Sequence, residues 1–148
     1  MGVSLYNQEG YLDPTAHEAL TNIERERRKK IVFICSPFAG DLELNTIRAR
    51  RYGRFAVTKN VVPIIPHLMY PQFLEENDPE ERKLGMEMGL ILLSKCQELW
   101  VFGRELSTGM AAEVRRAKKW NIPIRYFTTE CREMTGQREY GEIGGQRR

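Results

Sequence analysis

The chain has 148 residues, 41% of them hydrophobic and 29% charged, with a formal net charge of +3; this is a globular domain long enough to bury a core, not a disordered or disulfide-stapled chain. No apolar run approaches the roughly 20 residues of a membrane span, and the first 19 residues lack the basic-then-apolar order of a secretory signal. The three cysteines, Cys35, Cys96 and Cys131, show no disulfide or zinc spacing, so a reducing cytoplasm is the simplest setting, and the small net charge does not argue for a nucleic-acid partner.

Residues 1–12 read as poorly ordered. Asp13-Pro14 has the form of an N-cap followed by Pro at the first helical position, opening a helix through about residue 29. Its apolar stripe, Ala19, Leu20 and Ile23, is thin and places it outside the core. KIVFIC, residues 30–35, is nearly all apolar and β-branched, as expected of a strand buried on both faces. The loop SPFAGDLELN leads into a helix over 42–59, with Leu44, Ile47, Arg51, Phe55 and Ala56 on its inner side. Residues 61–65 form a second strand. Pro63 places that strand at a sheet edge, because Pro cannot donate to a ladder. The connection PHLMYPQFLEENDPEER follows. A helix over 79–95, capped by Asp78, then turns Leu84, Met88, Ile91 and Leu92 toward the core. Residues 99–102 are a third strand, 107–120 a helix and 122–127 a fourth strand. The polar, Gly-rich remainder reads as a tail, or as a segment that orders on a partner.

Strand and helix alternate throughout, which makes this an α/β chain. The expectation is one Rossmann-like or flavodoxin-like three-layer domain over 30–127, with a four- to five-stranded parallel sheet. An N-terminal extension with a helix (1–29) and a polar tail (128–148) flank it. Ligands of such sheets bind at the carboxyl ends of the strands, near the point where strand order reverses. That places SPFAGD, PHLMYP and GRELSTG at the site.

The segment ELWVFGRELSTGMAAEVRRAKKW carries the most chemistry. A strand feeds a helix through Ser107-Thr108-Gly109, and the first amides of that helix lack intrahelical partners, which suits an anion. On a helical projection Met110, Val114 and Ala117 face the sheet, with Arg115, Lys119 and Ala112 opposite. Glu113 falls at the margin of the buried stripe, where the helix dipole keeps a poorly solvated carboxylate ionised, as a nucleophile requires. An Arg116 partner at i+3, or plain solvation, would explain it equally well. Ser107 is a natural N-cap. Gly109 suits either close approach of a ligand or a flexible turn. His67, after Pro66, is placed to act as an acid on a leaving base, or simply to hold its own loop. Phe38 and Tyr70 are aromatics able to stack on a base or fill core. Asn45 is suited to loop backbone or a sugar, and Cys35 to core filling.

ELWVFGRELSTGMAAEVRRA resembles the motif region of the nucleoside 2-deoxyribosyltransferase superfamily, which includes the deoxynucleoside 5′-monophosphate N-glycosidases. IVFICSPFAG is similar to its first strand and sugar-binding loop. The likeness covers 30–127, through SPF, PIIPHL, LLSKC and ELWVFG. It implies that Glu113 attacks C1′ of a deoxyribose, that Ser36, Pro37, Phe38, Asn45 and Tyr70 line the substrate pocket, and that Ser107 with the Gly109 and Met110 amides holds the 5′ end. Family members acting on free nucleosides carry an aspartate where this chain has Ser107. A serine accepts a phosphate that a carboxylate would repel, so a 5′-monophosphate is favoured. The family's usual aspartate before the third strand is replaced near Leu90, with Glu87 out of register and Glu98 at the strand's start. Phe33 stands where an aromatic hydroxyl is usual, so that either another residue, such as His67 or Tyr70, moves the proton or the glycosidase chemistry is lost. The expected ligand is a small nucleotide or nucleoside, with no cofactor, metal or membrane involved, in a homodimer or higher even oligomer. The alternatives are a non-catalytic nucleotide-binding module in the same crevice and a scaffold with a vestigial one.

Overall fold

The computed structural model describes residues 14–26, 28–135 and 141–142. Helix α1 spans Pro14–Glu26, strand β1 Ile31–Cys35, helix α2 Leu42–Thr58 and strand β2 Val62–Ile64. A short helix α3, Pro66–Met69, and a 3-10 turn, Tyr70–Gln72, precede α4, Pro79–Ser94. Then come β3 (Glu98–Phe102), β4 (Glu105–Leu106), α5 (Thr108–Lys119), β5 (Ile124–Phe127) and β6 (Gly141–Glu142). Among the described residues no helix is long and apolar enough to cross a membrane.

Four strands form one parallel sheet in the order β2-β1-β3-β5. Period-two alternation along them sorts side chains into two cores. Val32, Ile34, Trp100, Phe102 and Phe127 pack with Tyr52 and Ala56 of α2. Phe33, Cys35, Leu99 and Val101 pack with Leu93 of α4 and with Met110, Ala111, Val114 and Ala117 of α5. The result is the expected three-layer, Rossmann-like arrangement. Pro63 lies on edge strand β2, as its missing N–H requires.

Two helix faces differ from the sequence expectation. In α2 the buried residues are Asn45, Ala49, Tyr52, Gly53 and Ala56, whereas Leu44 and Ile47 are 39% and 54% exposed and Arg51 is exposed. Small residues let this helix lie close to its neighbours: a Cβ on Gly53 would come 2.6 Å from Ile65 Cδ1. Tyr52 then stacks on Phe102 at 4.1 Å. In α4 it is Gly89 and Leu93 that are buried, while Leu84 and Ile91 are 45% and 59% exposed. In α2 close packing at Gly53 outweighed the apolar periodicity; in α4 no such tight contact forms at Gly89.

The short elements α3, β4 and β6 lie where the sequence predicts loop or tail. Pro66 starts α3 at its first position, where a missing N–H costs nothing. Strand β4 pairs in parallel with β6 across a long sequence separation, a contact no local pattern announces. Helix α1 stops at Glu26 rather than 29, and Ile23 is 47% exposed. Past β5 the chain turns back: Thr128 N–H donates to Arg132 O (2.9 Å) and Met134 N–H to Tyr126 O (2.8 Å). Residues 1–12, expected to be poorly ordered, and most of the tail lie outside the described residues.

At the amino ends of the strands Glu98 is buried yet paired. It accepts from Lys30 Nζ (2.7 Å) and Trp100 Nε1 (2.8 Å), with Arg125 3.8 Å away. Burial alone would raise its pKa, but Lys30, Trp100 and Arg125 together hold it below the usual carboxylate range. A depressed pKa stabilises the fold above the unfolded value of about 4.3, and that stability is lost as pH falls through the folded value. Glu98→Gln is expected to cost about 1.5–3 kcal/mol at neutral pH and to flatten the acid limb of stability. Urea titrations between pH 3 and 7 check this; a wild-type acid limb unchanged in the variant would remove Glu98 as its source.

Candidate active site

From β1 the chain runs to β2 on one side and later to β3 on the other, so strand order reverses between β1 and β3. A crevice at their carboxyl ends is the expected ligand position of such a sheet. The loop after β1 is shaped by Asn45, whose Nδ2 donates to Phe38 O (3.1 Å) and Ala39 O (2.9 Å). Of its two expected roles, Asn45 fills the loop-holding one. The Phe38 ring stacks on His67, centroids 4.8 Å apart and planes 21° from parallel. His67 hydrogen-bonds with the Ser36 backbone, and burial lowers its pKa to about 4. It is therefore neutral at pH 7 and holds no extra proton for a leaving base. In the unliganded structure it joins α3 to the β1 loop, the second of the two roles expected for it.

Beyond β3, Gly103 adopts φ 101°, a left-handed turn that glycine tolerates without strain. Ser107 then caps α5, its Oγ accepting from Met110 N–H at 3.2 Å. Met110 is itself buried in the α5 core. In the unliganded structure its amide is occupied by this cap. The first-turn amides of Thr108 and Gly109 lack intrahelical carbonyls by their position. A Cβ built on Gly109 meets nothing within 4 Å, so no packing within the protein demands glycine there.

Glu113 lies one turn deeper in α5. Its Oε1 is buried and without a hydrogen-bond partner, and Arg116 turns instead to the Trp120 ring, 5.5 Å from its centroid. Burial raises the Glu113 carboxyl to about 8, with a hydrogen bond from Cys35 acting in the opposite sense. Desolvation thus outweighs the helix dipole, and the unliganded carboxyl is mostly protonated at neutral pH, contrary to the expected anion. Cys35 was read as core filler. It is the last residue of β1 and shares the parity of Phe33, so it faces α5. Its Sγ lies 3.9 Å from Met110 O, and burial first, then Glu113, pushes the thiol well above its usual range. One weak S–H proton cannot satisfy both neighbours, which leaves Glu113 Oε1 short of a partner. Tyr126, opposite Val101 on β5, is raised by burial and by nearby Cys35.

Ser36 Oγ is the other buried side-chain atom without a partner among the described residues. Ser36 directly follows β1, and Glu113 is within hydrogen-bond reach of Cys35, the last residue of that strand. Tyr70 stands edge-on to Phe73 at 5.8 Å rather than joining the Phe38–His67 stack. Leu90 packs against the α4–α5 core, Glu87 is exposed, and Glu98 belongs to the opposite end of the sheet. Among the described residues no three His, Cys, Asp or Glu side chains gather as a metal site.

A family model described as Domain of unknown function (DUF7768) matches residues 30–127. The 2-deoxyribosyltransferase of the psychrotolerant bacterium Bacillus psychrosaccharolyticus is similar in structure, with a TM-score of 0.55 and 14% identity over 66% of this chain and 72% of that one. A 2-desoxiribosyltransferase from Leishmania mexicana follows at 0.46 and 18%, over 67% and 64% of the two chains. A conserved protein from Enterococcus faecalis V583 stands at 0.45 and 15%, over 67% and 63%. The first likeness establishes a nucleoside 2-deoxyribosyltransferase-like fold; the other two are too weak in shape to add to it. No curated protein matches the chain in sequence.

A folded-state pKa raised to about 8 makes the protein lose stability as pH climbs from the unfolded value of about 4.3 toward 8. Glu113→Gln removes that loss. The variant is expected to match the wild type near pH 4 and to exceed it at pH 9 by a few kcal/mol, at about 1.4 kcal/mol per pKa unit. Chemical denaturation at the two pH values measures the gap. Parallel pH curves for the two proteins would show that the carboxyl is solvated.

Proposed function

The chain belongs to the DUF7768 family, and from its site we propose an enzyme that cleaves or exchanges the N-glycosidic bond of a deoxynucleoside 5′-monophosphate. One observation carries this: the two buried, unpartnered polar atoms, Glu113 Oε1 and Ser36 Oγ, stand at the strand ends of a deoxyribosyltransferase-like fold. Unsatisfied polar groups cost a protein stability, and a ligand that meets them removes that cost. In its ionised form Glu113 attacks C1′ as the C1′–N bond breaks, through an oxocarbenium-like state. The bonding pair leaves with the base, which takes a proton from water. Hydrolysis of the glycosyl ester, or attack by a second base, restores the carboxylate. Developing positive charge at C1′ offsets the desolvation that keeps the unliganded carboxyl neutral. Ser107 and the Thr108 and Gly109 amides receive the 5′-phosphate, while Phe38, braced by His67, flanks the base and Pro37 shapes the turn beside it.

A non-catalytic nucleotide-binding module is the alternative. It is favoured by Leu90, an apolar residue where the family's acid usually stands, and it predicts nucleotide binding without release of base.

Release of free base from deoxynucleoside monophosphates, followed by chromatography, is expected to rise with pH through about 8 as Glu113 ionises, and to fall at least 1,000-fold in Glu113→Gln, roughly 4 kcal/mol of barrier. Turnover retained in that variant would exclude the mechanism, and nucleotide-dependent thermal shifts without base release would favour the binding module. Ser107→Asp is expected to weaken kcat/KM for monophosphates about tenfold or more relative to nucleosides, through like-charge repulsion. An equal loss on both substrates would place the phosphate elsewhere.

A further inference from the structure

A second concavity, of about 440 Å³, opens at the amino ends of the strands, the far end of the sheet from Glu113. It also lies on the other face: Trp100, in its wall, belongs to the α2 core, whereas Cys35 belongs to the α4–α5 core. Five cationic side chains line it, Arg28, Lys29, Lys30, Lys59 and Arg125, against one carboxylate, Glu98. They come from three separate segments. Val62 N–H donates to Lys30 O at 2.8 Å, and Asn60 turns the chain with φ 61°. Together these bring the end of α2, with Lys59, alongside the segment that carries Arg28 and Lys30.

Glu98 orders the floor by gripping Lys30 at 2.7 Å and Trp100 Nε1 at 2.8 Å. The Arg125 guanidinium lies 4.9 Å over the Trp100 ring and is anchored by two hydrogen bonds to Glu133, at 2.6 and 2.8 Å. Arg28 and Lys59 stand exposed at the rim. Lys30 and Arg125 already face carboxylates in Glu98 and Glu133, so the positive charge left to a ligand is chiefly that of the rim, and the wall of Trp100 and Val61 strengthens its field. Trp100 is fully buried beneath Arg125, so no ring is presented for a base to stack on. What the cavity offers is ordered N–H donors and positive charge, in a volume of the size small ligands occupy.

We infer that this basic cavity binds the phosphate chain of a small di- or triphosphate, at a site separate from the crevice. A triphosphate carries enough charge to engage Arg28 and Lys59 together with the ordered Lys30 and Arg125. The inference does not depend on the glycosidic activity.

Calorimetric titration of the full chain with inorganic triphosphate, a nucleoside triphosphate and inorganic phosphate tests it, with tryptophan fluorescence as a second reading. Triphosphate is expected to bind more tightly than phosphate and to weaken as salt is raised; the fluorescence read is the summed emission of Trp100 and Trp120. Lys59→Glu and Arg28→Glu are each expected to weaken it tenfold or more, Lys59→Gln by less, and Glu113→Gln not at all. Equal affinity for the two triphosphates identifies the chain of phosphates alone as the ligand; tighter binding of the nucleoside form, still lost in Lys59→Glu, identifies the nucleotide as its source. Thermal melts confirm that the variants fold. No binding by the wild type at millimolar triphosphate, or binding undiminished by both charge reversals, overturns the inference.

Discussion

The parallel register of β1 against β3 governs both ends of this molecule. Val32 lies opposite Glu98 and Cys35 opposite Val101, so the first pair brings Lys30 to the Glu98 carboxylate and the last delivers Cys35 to the face that α5 covers. A slip of one residue would exchange the faces of β1, sending Phe33 and Cys35 toward α2. Apolar packing on both sides of the two strands resists that slip. The ion-pair cluster at one end and the buried carboxyl at the other are therefore consequences of a single hydrogen-bonded ladder.

Two glutamates at those ends show how environment decides chemistry. Glu98 is buried but has Lys30, Trp100 and Arg125 around it, and it remains an anion with its hydrogen bonds filled. Glu113 is buried with only a thiol for company, and its proton is held to about pH 8. Satisfied carboxylates contribute stability, whereas an unsatisfied one stores free energy that a ligand can release. His67 completes the contrast. Its low pKa and its stack with Phe38 make it a neutral brace between α3 and the β1 loop.

Residues 24–30, ERERRKK, are rich in charge of both signs. In the structure α1 ends at Glu26, and Arg28, Lys29 and Lys30 run into the start of β1, where Lys59 and Arg125 join them from elsewhere in the chain. Charge density that is unremarkable over 148 residues becomes local through tertiary folding.

The four strands of the main sheet were legible because each is a short apolar run between breakers, and α2, α4 and α5 because Asp41, Asp78 and Ser107 cap them; such signals act within a few residues, where propensity and capping suffice. Pro63 announced an edge strand for an equally local reason. The Ser107 to Glu113 spacing placed the cap and the carboxylate on one helix. Which side of α2 and α4 faces inward was settled by tertiary packing; in α2, Ala49, Gly53 and Ala56 allow a closeness that larger apolar residues do not. The protonation of Glu113, the occupied Met110 amide, the neutrality of His67 and the approach of Cys35 to α5 were likewise decided only in three dimensions. Desolvation and hydrogen-bond partnership depend on groups far apart in the chain, and local sequence carries no record of them.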